Sequence, residues 1–180
     1  MTLHCSDNKA DRLVGLYWEN RFCQMAGEHG LCFSPLQIGR PTSAQCYTIP
    51  AGGASWKPFT LPDVTIWTAP GQHHEIKHKA PTPDGCFGLE AYRFRALLDF
   101  AAETQQAVFY TIHNHALNGG RDNQANFPAH WLTVNVKDLE GRYAKTQPGS
   151  SWINGKRVDG IMIHYWRVTL WTPLAKVLTL

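Results

Sequence analysis

Residues 61–79 read LPDVTIWTAPGQHHEIKHK, and the reading of this stretch decides the fold. Two short β-like runs, Asp63–Trp67 and His74–His78, flank a turn signal centred on Pro70-Gly71. The first run carries Asp63, the second Glu75, and Lys77 follows two residues later. Charged side chains are rarely fully buried unless they are paired or bind metal, so a hairpin carrying all three needs an explanation. In an extended strand alternate side chains share a face. His73, Glu75, Lys77 and Lys79 are therefore expected on one face, with His74, Ile76 and His78 on the other.

A carboxylate two residues from a lysine on one strand face combines a divalent-cation ligand with a charge-stabilising ammonium. Asp63, on the neighbouring strand, would add a second carboxylate. Carboxylates completed by water and phosphate oxygens suit Mg²⁺, a hard ion that keeps several waters. Such an ion polarises a phosphodiester and acidifies an attacking water, and Lys77 would offset transition-state charge. Repulsion within the cluster predicts that alanine at Asp63 or Glu75 leaves the fold intact and stabilises the metal-free protein.

Pro62-Asp63 and Glu75-Ile76-Lys77, twelve positions apart from Asp63 to Glu75, resemble the two half-motifs of the PD-(D/E)XK nucleases. That superfamily includes restriction endonucleases, Holliday-junction resolvases and phage exonucleases. The resemblance covers about residues 11–115. It implies metal ligation by Asp63, Glu75 and the backbone carbonyl of Ile76, with Lys77 near the nucleophile. Glu19, on a helix ahead of the sheet, would be a further acidic group at the metal. It also implies a restriction-endonuclease-like α/β fold, a mixed central sheet flanked by helices. The activity implied is hydrolysis of phosphodiester bonds in DNA with Mg²⁺, or Mn²⁺, and a homodimer is compatible with it.

Length and composition fit this reading. A chain of 180 residues, 43% apolar and 17% charged, can bury a sizeable core and is expected to form one domain over 1–180. Its core would span 11–115, with additional strands over 128–180. The net charge of +3 suits a polyanionic partner without demanding one. Five cysteines without CxxC spacing argue against a disulfide framework or a zinc knuckle. The polar N-terminus lacks a signal-peptide core, and no apolar run approaches the ~20 residues of a membrane span. A soluble, cytoplasmic protein is expected.

Around the hairpin, Asp11–His29 spaces Leu13, Leu16, Tyr17, Phe22, Met25 and Ala26 as a helix face, with Glu19 beside it. Ser34–Pro58 holds four prolines and three glycines and reads as an irregular connection with a short strand at QCYTI. Residues 80–88 read as loop, and Leu89–Gln106 as a helix facing inward through Leu89, Tyr92, Ala96, Leu97 and Phe100. AVFYTIHNH (107–115), HWLTVNV (130–136) and GIMIHYWRVTLW (160–171) have strand character.

Cations near the proposed site are Lys79, Arg93 and Arg95, candidates for nucleic-acid contact; the latter two do not share a helix face. Lys137, Arg142, Lys145, Lys156 and Arg157 form a second basic group around a glycine-bearing loop at 141–157. Rival readings exist. His113-Asn114-His115, followed by Gly119-Gly120 and Asn126, resembles His-Asn-His endonucleases centred on 113–130, but no helix signal follows. His73, His74, His78, His113 and His115 would offer ligands for Zn or Mn if the two strands are neighbours, and hydrogen bonding within the sheet is the simpler role. Trp152, Trp166 and Trp171 raise a non-catalytic carbohydrate-binding module, against which stand two helical patterns and tryptophans set in apolar runs. A nuclease-like domain that binds nucleic acid without cutting it is a further alternative.

Overall fold

Val64–Ile66 (β4) pairs antiparallel with Gln72–Lys79 (β5), Val64 opposite His74, so the stretch that opened the reading is a hairpin. The computed structural model describes residues 8–35, 47–51, 55–59, 62–68, 71–116, 130–153 and 156–178. β5 then pairs in parallel with Ala107–Asn114 (β7), Ile76 opposite Thr111. The remaining pairings of this sheet are antiparallel: Phe33–Pro35 (β1) on β4, Trp131–Asn135 (β8) on β7, and Thr172–Pro173 (β11) on β8. The result is a mixed central sheet in the order β1-β4-β5-β7-β8-β11.

Each sheet face has its own core. Asn8–Glu28 (α1) covers one face, packing Trp18, Phe22, Met25 and Ala26 against Val64, Ile66, Ile76 and Trp131. Ala91–Thr104 (α2) covers the other, setting Phe94, Leu97, Phe100 and Ala101 over Val108, Tyr110 and Ile112. The period-2 alternation of β5 and β7 sends successive residues to opposite cores. The short helix Ala175–Leu178 (α3) adds Leu178 to the α1 side. Tyr47–Ala51 (β2) and Ser55–Phe59 (β3) form a separate antiparallel pair, where the irregular connection with one short strand was expected. Among the described residues, no helix is long and apolar enough to cross a membrane.

Three expectations need correction. On α1 the inward face is rotated: Leu13 and Tyr17 are 57% and 50% exposed, while Trp18 and Cys23 are buried. The 18, 22, 25, 26 stripe, with its larger aromatic surface, wins over the one starting at Leu13. On α2, Tyr92 is exposed and Leu89 lies outside the helix. Leu89 belongs instead to Cys86–Glu90 (β6), a strand where a loop was expected. Likewise the basic loop at 141–157 becomes Lys145–Ile153 (β9) and the start of Lys156–Arg167 (β10). β6, β10 and β9 form a second antiparallel sheet on the α2 side, which contributes Phe87, Leu89 and Trp166 to that core. These strands are legible only through their partners. Gly88 lies opposite Tyr165, and a Cβ at Gly88 would meet the Tyr165 ring at 2.7 Å, so glycine is required there.

Candidate active site

The site begins where β4 ends. Pro62 has no N–H to offer a ladder, and the last backbone bond toward β5 is Asp63 N–H to the carbonyl of His74, 3.0 Å. Beyond His74 that edge of β5 has lost its partner strand. The Ile76 N–H is satisfied by a side chain instead, donating to Asp63 Oδ2 at 2.7 Å. The Pro-Asp pair thus stops one strand and caps the next, and among the described residues no strand pairs with β5 on this side beyond His74.

Glu75 and Lys77 project from this part of β5 toward α2. Lys77 Nζ lies 2.6 Å from Glu75 Oε1 and 3.8 Å from Asp63 Oδ2. Arg93, in the first turn of α2, grips Glu75 as a two-pronged donor, Nε to Oε1 at 3.0 Å and Nη2 to Oε2. Glu75 is 1% exposed and Lys77 31%, so the cluster opens to solvent on the lysine side.

The charges are unevenly balanced. Burial alone would raise Glu75, but Arg93 and then Lys77 outweigh it and hold the carboxyl near 2. Burial would lower Lys77, but Glu75 and Asp63 raise it above the ordinary lysine value, so it is a fixed ammonium. Asp63 is pushed up to about 6 by burial and by Glu75, against Lys77 and Arg93. Glu19 is pushed up to about 8 by burial and then by Asp63. Three carboxyl groups therefore meet two cations, and the one surplus negative charge is relieved near neutral pH by a proton on Glu19, with Asp63 the next to take one as pH falls toward about 6.

This imbalance predicts a pH effect. A carboxyl raised from 4.5 to about 8 contributes stability below the lower value, lost as pH rises through the upper one. The metal-free protein is therefore expected to melt lower at pH 9 than at pH 5. Glu19→Gln should remove much of that slope, raising Tm by a few degrees, roughly, at pH 9 and hardly at all at pH 5. Thermal melts across this range, without divalent ions, provide the check.

The donor set fits a hard divalent cation. It consists of oxygen ligands with excess negative charge, and three N–H donors use Glu75, leaving one of its roughly four lone-pair positions. Among the described residues, no three His, Cys, Asp or Glu side chains form a ready-made metal cage. Mg²⁺ does not require one, because it binds through one or two carboxylates and retains waters.

The other predicted residues fall into different places. Asp63, Glu75, Lys77 and the Ile76 backbone come together, and Glu19 is within electrostatic reach of them. Arg93, expected to meet DNA, is paired with Glu75 inside the protein. Its spacing already carried that signal: Arg93 stands four and seven residues before Leu97 and Phe100, on the buried stripe. Lys79 donates to the Gly88 carbonyl at 2.6 Å. Arg95 is the exposed one, 69% accessible and paired with Asp99. In the second basic group, Lys145 pairs with Asp84 and Arg157 with Asp159.

The histidines have partners within the fold. His73 bonds to Thr65 and Gln106, His74 to Thr111, and His78 to His113 at 3.0 Å between their Nδ1 atoms. Trp18 stacks on both His78 and His113, with ring centroids 4.4 and 3.7 Å away. The Trp18 stacks lie on the α1 side, across the sheet from Glu75 and Lys77, whereas His73 shares the α2 side with them, edge-on to Phe100. The Gly-Gly and Asn126 of the His-Asn-His reading lie outside the described residues. Trp166 and Trp171 are core residues and form no exposed platform.

No protein-family model matches the chain, and no curated protein matches it in sequence. Among solved structures it is similar to Archaeoglobus fulgidus Hjc, a Holliday junction resolvase from an archaeal hyperthermophile. The identity is 16% and the TM-score 0.50, over 91% of this chain and 98% of that one. The similarity extends to nearly the whole of both chains, and the mixed sheet with flanking helices is a restriction-endonuclease-like fold.

Proposed function

We propose that this chain is a metal-dependent deoxyribonuclease of the PD-(D/E)XK kind, with residues 1–180 acting as one domain. The observation that carries this reading is the junction of Asp63, Glu75 and Lys77 where the β4–β5 pairing ends and Asp63 accepts from the Ile76 N–H. The resolvase-like fold supports it.

In this reading Asp63, Glu75 and the Ile76 carbonyl, with Glu19 behind them, would hold Mg²⁺ or Mn²⁺. When bound, the ion supplies Lewis-acid polarisation of the scissile phosphate and an acidified water. Lys77 keeps its proton throughout, so it orients the attacking oxygen and offsets charge developing on the phosphorus oxygens. Arg93 locks the Glu75 rotamer and keeps it ionised. Glu19 would have to give up its proton to join a bound cation, as would Asp63 below about pH 6, so metal affinity is expected to rise with pH up to about 8. Arg95 is placed to meet the DNA backbone from the surface.

The test is cleavage of labelled four-way junction, duplex and single-stranded DNA with Mg²⁺ or Mn²⁺. Cleavage is expected to require the metal and to vanish in Asp63→Asn, which retains an acceptor for the Ile76 N–H. Wild-type cleavage in excess EDTA, or an active Asp63→Asn, would overturn the reading.

A further inference from the structure

On the same face of β5, two residues past Lys77, Lys79 enters a cleft of about 220 Å³ walled by the second sheet. Its lining includes Thr82, Gly88, Glu90, Ser150 and Tyr165. That volume is below the ~300 Å³ of the smallest drug-sized pockets, so it suits a single planar ring system. The cleft begins ~7 Å along the strand from Lys77, within one nucleotide's reach of the proposed cleavage site.

The walls are built rather than incidental. Lys79 Nζ is fixed by the Gly88 carbonyl at 2.6 Å, an oxygen that also accepts from Tyr110 Oη at 2.9 Å. Glu90 is fixed from the other side, where Ser151 Oγ donates to its Oε1 at 2.8 Å. The side chain that glycine 88 lacks makes room for the Tyr165 ring, which gives the cleft an aromatic wall. Lys79 and Glu90 make no direct ion pair among the described residues, yet each acts electrostatically on the other. Burial lowers Lys79 while Glu90 raises it, and Lys79 in turn helps hold Glu90 below the ordinary carboxylate range after burial has raised it.

A phosphate would gain from Lys79 but meet Glu90, so this cleft is a poor seat for the DNA backbone. A neutral ring presenting an acceptor beside a donor would satisfy both charges at once. We propose that the cleft between Lys79 and Glu90 receives an unstacked nucleobase next to the scissile phosphate, read by the lysine ammonium, the glutamate carboxylate and the Tyr165 wall. Glu90 would accept from an exocyclic amine or ring N–H, and Lys79 would donate to a carbonyl or ring nitrogen. This inference rests on the nuclease reading and gives it a substrate class: DNA with an unpaired or branched nucleotide at the cut, since a stacked base cannot enter.

The test measures single-turnover cleavage of a four-way junction and of nicked or flapped DNA. The nucleotides flanking the cut carry each of the four bases or an abasic site. Each of the four bases presents an amine or ring N–H beside an acceptor, so wild type is expected to cut all base-bearing substrates and to lose roughly tenfold or more on the abasic one. Glu90→Gln should narrow the gap between base-bearing and abasic DNA while cutting abasic DNA within a few-fold of wild type. Among the described residues Glu90 makes no hydrogen bond or ion pair with Glu75 or Lys77 and acts on Lys77 only at a distance. Wild type that cuts all substrates alike, or a Glu90→Gln variant with an unchanged gap, would overturn the base-reading role and leave the nuclease reading standing. Failure of wild type to cut any substrate would overturn both.

Discussion

Lys77→Ala is expected to lower metal-dependent DNA cleavage by roughly 100- to 1,000-fold, the usual cost of removing one preorganised charge from a transition state. The side chain is 31% exposed and acts through its ammonium on neighbours already in place, so the variant should fold. Its metal affinity should rise slightly, because removing a cation leaves the carboxyl groups more negative. His115→Ala is the control that separates this chemistry from a His-Asn-His mechanism. His115 packs 5.1 Å from the ring of His78, on the α1 side, and its loss is expected to leave the rate within about twofold. Single-turnover rates of the two variants decide the matter. A His115 variant losing several orders of magnitude beside an active Lys77→Ala would move the chemistry to the other face of the sheet.

Glu75→Leu should have the largest effect on stability, in the direction opposite to that expected from acid–acid repulsion alone. Glu75 is held by Arg93 through two bonds and by Lys77 at 2.6 Å, with Arg93 itself mostly buried. Removing the carboxylate leaves buried cations uncompensated, a loss of roughly 3–5 kcal/mol, against which relief of Asp63 is small. For a chain of this length that is a fall in Tm of roughly 10 °C or more. Adding Arg93→Met to Glu75→Leu should recover a good part of it, since the orphaned charge is then gone. Urea or thermal unfolding of the two single variants and the double variant completes the cycle. A Glu75→Leu protein as stable as wild type would show that the ion pair does not hold the fold. Asp63→Asn differs: it removes a charge whose pKa is already raised and is expected to be neutral or stabilising above pH 6.

These two residues also show how far sequence reasoning reaches. The alternation of β5 is a local property, set by backbone geometry, so it was legible that Glu75 and Lys77 share one face while Ile76 faces the other. The first run was legible from Asp63 onward, and Pro62 ahead of it cannot donate to a ladder, which limits how far β4 can pair. The hairpin and the helices on either side of it follow from such local periodicities and turn signals, while the mixed sheet was what the resemblance to the nucleases implied. What Arg93 does depended on a partner eighteen residues away, and the choice between solvent, phosphate and Glu75 is made by where α2 docks. Strand β6 shows the same limit. Five residues containing a glycine and an acid carry no strand period of their own and become a strand because β10 lies beside them.

Legible from the chain alone were therefore the hairpin, the shared face of Glu75 and Lys77, and the succession of α1, hairpin, α2, β7 and β8. All of these are governed by interactions between residues close in the chain. Tertiary packing alone sets Arg93 against Glu75, raises the Glu19 and Asp63 carboxyls above their ordinary range, and brings Lys79 and Glu90 to one cleft. Charge balance and cavity shape arise from distant segments packed together, and no local period in the chain records them.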